Sequence, residues 1–311
     1  MKVGSLFTGY GGLDLAVGGD LAWYAETDPA ACRVLKAHYP GVPNLGDVRT
    51  VDWAAVEPVD VITGGYPCQP FSTAGQRKGA DDDRHLWPHL RDAISAIRPR
   101  HAVLENVRGH LTLGFTDVLR DLADLGWSAE WGVVRASDAG APHHRSRLFV
   151  LAHPDGAGSE TRQHPGRDRA GVRLEPMGPA APTTDPGCER YGRGEGPGRV
   201  AGMGVESEGR GRPGSAPRQE PGTGSAEVWG GYAPAIHRWE RITGRTAPTP
   251  TIAPNGRDRL NPEFVEWMMG LPAGWVTGHD LTNSQALRML GNGVVPQQAE
   301  LALAMLTGSD P

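Results

Sequence analysis

Cysteine is scarce: Cys32, Cys68 and Cys188 are the only three in 311 residues, and none stands in a Cys-x-x-Cys pair. That count excludes a disulfide framework. No apolar run approaches the roughly 20 residues that span a bilayer. The opening Met-Lys-Val-Gly-Ser-Leu-Phe lacks the charged and apolar regions of a signal peptide, so a cytoplasmic protein without membrane association is expected. There is no basic excess either, since the formal net charge is -5 and the isoelectric point about 6.1. The total therefore does not advertise a nucleic-acid binder, although it is silent about any one face. Lysine is nearly absent, with Lys2, Lys36 and Lys78 the only three among 31 basic residues. Arginine suits two-pronged contacts to phosphate and base edges. A GC-rich coding bias, which also enriches Ala, Gly and Pro, accounts for most of its excess.

What is present up to about residue 153 is an alternation of short apolar runs with helix-like stretches. Strands are expected at 3–7, 21–26, 59–63, 102–105, 129–134 and 147–152. Helices are expected from residue 13 and over 29–38, 86–97 and 115–125. Short strands alternating with helices predict an α/β fold, a parallel sheet covered on both faces. From about 154 to 227 the chain is crowded with Gly, Pro and Arg, and Leu174 and Tyr191 stand nearly alone as large apolar residues. Such a segment buries too little to offset its ordering entropy and reads as a disordered insert. Structure is expected to resume at Val228, with helices over 262–269 and 297–306. No fixed-period repeat is visible.

Four motifs carry chemistry. Phe7-Thr8-Gly9-Tyr10-Gly11-Gly12 follows the first strand, and its glycines permit a tight turn and a close approach to a ligand. Glu26-Thr27-Asp28 ends the second strand, about 20 residues on, where a carboxylate can bind ribose hydroxyls. A solvated strand end, and a helix cap at Asp28, are the alternatives. Pro67-Cys68-Gln69-Pro70 leaves a third strand on a proline-stiffened loop, which suits a placed nucleophile better than buried filler. Glu105 ends a fourth strand and could have its pKa raised there, to act as an acid. Arg145-Ser146-Arg147 alternates, so both guanidinium groups are expected on one strand face as anion or carbonyl clamps. His143-His144 finds no Cys or His at ligand spacing, and no metal is expected.

Together these residues resemble the DNA (cytosine-5)-methyltransferase family, over about 3–149 and 247–306. Phe7-Thr8-Gly9-Tyr10-Gly11-Gly12 is similar to its cofactor loop, Pro67-Cys68-Gln69-Pro70 to its catalytic loop and Glu105-Asn106-Val107 to its acid motif. Leu290-Gly291-Asn292-Gly293-Val294-Val295-Pro296 is similar to its last motif. The resemblance implies a Rossmann-like fold that binds S-adenosylmethionine, with a small, irregular target-recognition region. The chain divides accordingly into a catalytic and cofactor-binding core (1–153), the insert (154–227), a reduced recognition region (228–260) and a returning C-terminal part (261–311).

By the same resemblance, Phe7, Thr8, Gly9, Gly11 and Gly12 hold the methionine part of the cofactor. Glu26 and Thr27 meet the ribose and Asp47 the adenine amino group, while Pro67, Leu86, Asn292 and Val294 line the pocket. Cys68 attacks C6 of a flipped-out cytosine, Glu105 holds N3, and Arg145 and Arg147 steady the loop and the base carbonyl. His143 stands where the family commonly carries Gln. The expected partner is double-stranded DNA, acted on by a monomer in a bacterial or phage-infected cell, with a restriction endonuclease as companion or as a stand-alone modification enzyme. The rivals are a tRNA methyltransferase of the same superfamily and a non-catalytic DNA-binding homologue; a nicotinamide dehydrogenase leaves Pro67–Pro70 unexplained. Recognition is expected to rest on a few residues around 229–245.

Overall fold

Period-two alternation sends neighbouring strand residues to opposite faces of a sheet. Leu6, Ile62 and Leu104 join Leu90, Ile94 and Phe115 in one buried cluster, whereas Val3, Val61 and Val103 join Leu13, Ala299 and Ala302 in another. The computed structural model describes residues 1–67, 86–156, 229–253 and 256–309. Cys68 and nearly all of the expected insert lie outside the described residues.

Six strands form the main sheet: β1 (Lys2–Leu6), β2 (Asp20–Ala25), β3 (Val61–Gly64), β4 (His101–Val107), β5 (Trp127–Arg135) and β6 (Ser146–Pro154), in the order β2-β1-β3-β4-β6-β5. The first four are parallel. Helices α1 (Gly12–Val17), α2 (Pro29–His38), α3 (Trp87–Ile97) and α4 (Phe115–Asp124) cover it. Asp28 caps α2 by accepting from the N–H groups of Ala30 and Ala31, with Pro29 preset in the first turn.

The chain runs outward from β1 to β2 and then returns to β3, so the switch point of this Rossmann-like sheet lies between β1 and β3. Ligands of open α/β sheets bind outside the carboxyl ends of the strands at that point.

The expectation of an all-parallel sheet is corrected at its far edge. Strand β6 runs antiparallel to both β4 and β5. Only a short 3-10 turn, Ala136–Ala139, and six further residues join β5 to β6. That is too short for the crossover a parallel pair requires.

The C-terminal part holds α5 (Ala233–Thr243), the two-residue strands β7 (Thr251–Ile252) and β8 (Arg259–Leu260), α6 (Pro262–Met268), α7 (Asn283–Asn292) and α8 (Pro296–Thr307). Helix α7 was not among the expected elements, although Thr282 and Gln285 form a capping box that marks its start. Tyr10, Val34, Trp239, Trp267 and Leu290 share a buried cluster, which fastens this part to the glycine loop and α2.

Several residues expected to read DNA face inward instead. Trp239 is fully buried and donates to the Trp267 carbonyl at 2.9 Å, Trp229 stacks on Phe264, and Arg245 donates to the Leu271 carbonyl. Indole and guanidinium groups placed in a core must find acceptors there. The segment leaves Tyr232, Arg241, Ile242, Arg257 and Arg259 exposed.

Candidate active site

At the carboxyl ends of β1–β4 lies a cleft of about 650 Å³. Phe7, Thr8, Gly9, Gly12, Glu26, Thr27, Asp47, Pro67, Leu86, Glu105, Arg147, Asn292 and Val294 all line it. Gly11 does not: a Cβ there would face Leu35 and the Tyr39 ring, so its part is the turn itself, at φ 82°.

The glycine loop is held tightly. Phe7 adopts φ 55°, a left-handed conformation that bulky residues enter only when the surroundings fix it. Its N–H donates to the Ala25 carbonyl at 3.0 Å. A Cβ on Gly12 would stand 2.3 Å from the Val294 oxygen, and one on Gly293 would stand 1.9 Å from the Tyr10 ring. Tyr10 is completely buried between them and donates its hydroxyl to the Val294 carbonyl at 2.6 Å. Trp275 in turn donates its indole N–H to the Tyr10 carbonyl at 2.8 Å. The loop and the last motif, some 280 residues apart, thus form one wall.

At the β2 end of the cleft, Glu26 accepts from the N–H groups of Gly9, Thr27 and Asp28, each at 2.8 Å. Its carboxylate is thereby aimed across the mouth of the loop. Asp47 grips Arg49 through two nitrogens, and that guanidinium holds its carboxyl below the usual carboxylate range. Arg288 of α7 pairs with Asp28 across the same end.

At the β4 end stands Glu105, buried, with Arg147 Nε 3.1 Å from its Oε1. Burial pushes its carboxyl above the usual range, while Arg147 and Arg145 oppose the rise. Asn106 donates to the Tyr66 carbonyl at 3.0 Å, and His110 meets the Tyr66 hydroxyl at 2.9 Å. These bonds fix the segment that leads, through Pro67, to Cys68.

The two arginines, expected as a pair from their alternation, make different contacts among the described residues. Arg145 precedes β6 at φ 37°, and its guanidinium donates to the carbonyls of Gly291 at 2.9 Å and Gly293 at 2.5 Å. Arg145 thus braces the last motif, while both guanidinium groups still act on Glu105. His143 hydrogen-bonds through Nε2 to the Met268 carbonyl at 3.0 Å. Burial pushes its pKa down to about 4, which leaves the ring neutral at pH 7.

Sequence reasoning missed Asp14, Asn106, Arg288 and Met289, which also line the cleft. For Asp14 a signal existed: a carboxylate set between Leu13 and Leu15 in a short apolar helix.

A family model described as C-5 cytosine-specific DNA methylase matches residues 1–169. Type II methyltransferase M.NgoMIV of Neisseria gonorrhoeae is 34% identical over 132 residues, 41% of this chain and 42% of that protein. Type II methyltransferase M.AquIA of a Picosynechococcus strain is 32% identical over 178 residues, 49% of this chain and 71% of that protein. The matched part of the chain spans less than half the length of several of these curated relatives. Among solved structures, the Dnmt2 methyltransferase of S. pombe has a TM-score of 0.60 at 14% identity, covering 99% of this chain and 98% of that one. A Dnmt2 of Spodoptera frugiperda gives 0.58 at 16%, covering 98% and 99%. At such identities the likeness speaks for the fold alone.

Proposed function

The chain belongs to the C-5 cytosine-specific DNA methylase family, and we propose from that premise that it transfers a methyl group from S-adenosylmethionine to C5 of a cytosine in DNA. The observation that carries this reading is one cleft that holds both ribose-type carboxylate chemistry at Glu26 and a buried acid at Glu105. The cleft fits an adenosine-bearing ligand: backbone N–H groups already orient Glu26, and Gly12 admits the last motif to contact.

The bound S-adenosylmethionine supplies a methyl group on a positively charged sulfur. Cytosine C5 is a poor nucleophile until a group adds at C6. Cys68, as thiolate, makes that bond and pushes electrons toward C5 and N3. Glu105, protonated more readily than an ordinary carboxyl, holds N3 and disperses the charge that builds there. Arg147 fixes the Glu105 carboxyl and keeps its pKa from rising further. After transfer to C5 a base takes the C5 proton and the Cys68 bond breaks, restoring the ring. None of these atoms is reachable inside a duplex, so the base must leave the stack.

Exposed groups of 229–260, among them Tyr232, Arg238, Arg241, Arg257 and Arg259, are available to contact DNA. A companion restriction endonuclease is proposed from the naming of the relatives as type II methyltransferases.

Labelled methyl groups should enter duplex DNA and not tRNA, and Cys68→Ala should abolish the transfer. Equal labelling of tRNA would favour the sister activity, which shares every catalytic residue. Deleting 156–225 should leave methylation and site preference in place; loss of both would put recognition in that stretch.

A further inference from the structure

Asp14 takes no part in the reaction described above, yet it lies at its centre. It sits in the first turn of α1, only 8% exposed, where β1 and β3 end. Ser5 Oγ of β1 donates to one carboxylate oxygen at 2.9 Å, and Thr63 Oγ1 of β3 donates to the other. Ser5, Thr63 and Asp14 all line the cleft. Among the described residues no salt bridge reaches Asp14, and its hydrogen-bond donors are neutral. Burial accordingly pushes its carboxyl above the usual range. A buried carboxylate without a cation is costly, and folds rarely keep one where a neutral side chain would pin the same elements.

The sheet order says what stands over it. Glu26 marks the adenosine end at β2, Glu105 marks the acceptor end at β4, and β1 and β3 lie between them. A ligand stretched from one end to the other must pass its methionine part, which carries the sulfonium and the α-ammonium, across the β1–β3 interval. We propose that Asp14 is the counter-charge for the cationic methionine part of the methyl donor and so sets the preference of the cleft for a charged ligand. The inference rests on the methyl-transfer reading.

The surroundings make the charge readable. Tyr39, at the end of α2, is the titratable group that faces Asp14, and its phenol is pushed up to about 12 by burial and by Asp14, so it stays neutral. Strand β3 carries no titratable residue, and Lys2 of β1 and Glu300 of α8 are exposed.

The test compares S-adenosylmethionine with 5′-methylthioadenosine, which keeps the adenosine and the sulfur but lacks both cationic groups. Calorimetry on the full chain and on Asp14→Asn should show S-adenosylmethionine binding weakened by about tenfold or more, with 5′-methylthioadenosine unchanged. Equal weakening of both ligands would make Asp14 a structural pin and overturn the proposal, as would no weakening of either. Should the variant not fold, the wild type decides. Its affinity ratio for the two ligands should fall as the pH is lowered and Asp14 takes up a proton, at a higher pH than an ordinary carboxyl would, whereas Glu26 acts on both ligands and cancels. A flat ratio would overturn the proposal. If the wild type binds neither ligand, the methyl-transfer reading falls first and takes this inference with it.

Discussion

Arg147 Nε stands 3.1 Å from Glu105 Oε1, with the two side chains only 6% and 10% exposed. Arg147→Ala would leave the buried Glu105 carboxylate without this cation, a loss of roughly 3–5 kcal/mol when one partner of a buried pair is removed. Without its cation the carboxyl rises further and takes up a proton more readily. The loss should therefore be largest near pH 8 and shrink toward pH 5. Urea unfolding of both proteins across that range checks the prediction, and a constant difference would contradict it.

Tyr10 joins the glycine loop to the last motif through its hydroxyl and its ring. Tyr10→Phe leaves the buried Val294 carbonyl without this donor, at about 1–2 kcal/mol. Tyr10→Ala also opens a cavity beside Gly12 and Gly293, for a total of about 3–5 kcal/mol. Both should raise KM for the methyl donor more than KM for DNA. Steady-state kinetics with each substrate varied in turn separates the two.

His143 couples stability to acid. Its folded pKa, about 4, lies below that of an unfolded histidine, near 6.5. Between those values the unfolded chain binds the extra proton, so stability falls as pH drops from about 6.5 toward 4. His143→Gln can still donate to the Met268 carbonyl and does not titrate. The variant should lose less stability than the wild type between pH 7 and pH 5, as read from urea midpoints.

Glu266 is 1% exposed and organises the 274–277 turn. Its carboxylate accepts from the N–H groups of Gly274 at 2.8 Å, Val276 at 2.6 Å and Thr277 at 2.9 Å, and from the Thr277 hydroxyl at 2.9 Å. That turn carries Trp275, which holds the Tyr10 carbonyl. Glu266→Ala should expose these amides to hydrogen exchange and weaken methyl-donor binding from a distance. Unchanged protection at 274–277 would show that the turn stands without it.

The residues legible in the sequence are those whose role is local. Glycines after a strand, a carboxylate at a strand end and a proline-bracketed cysteine announce themselves within a few positions, and so Phe7, Glu26 and Glu105 fall where expected. Strand alternation assumes an extended backbone, whereas Arg145 precedes β6 in a left-handed conformation, so its contacts with the last motif were not legible from spacing. The β6 reversal follows from a connection too short to cross the sheet. Arg288 depends on closure between segments 260 residues apart, and Trp239 faces inward because its cluster joins the C-terminal part to Tyr10 and Val34, which no local pattern encodes.

The central claim is that Cys68 bonds to a cytosine in this cleft, and DNA carrying 5-fluorocytosine tests it most directly, since fluorine at C5 blocks the final elimination. Incubated with S-adenosylmethionine and such DNA, the wild type should give a denaturant-resistant protein–DNA adduct, and Cys68→Ala should give none. Absence of the adduct from the wild type, or its persistence in the variant, would contradict the account.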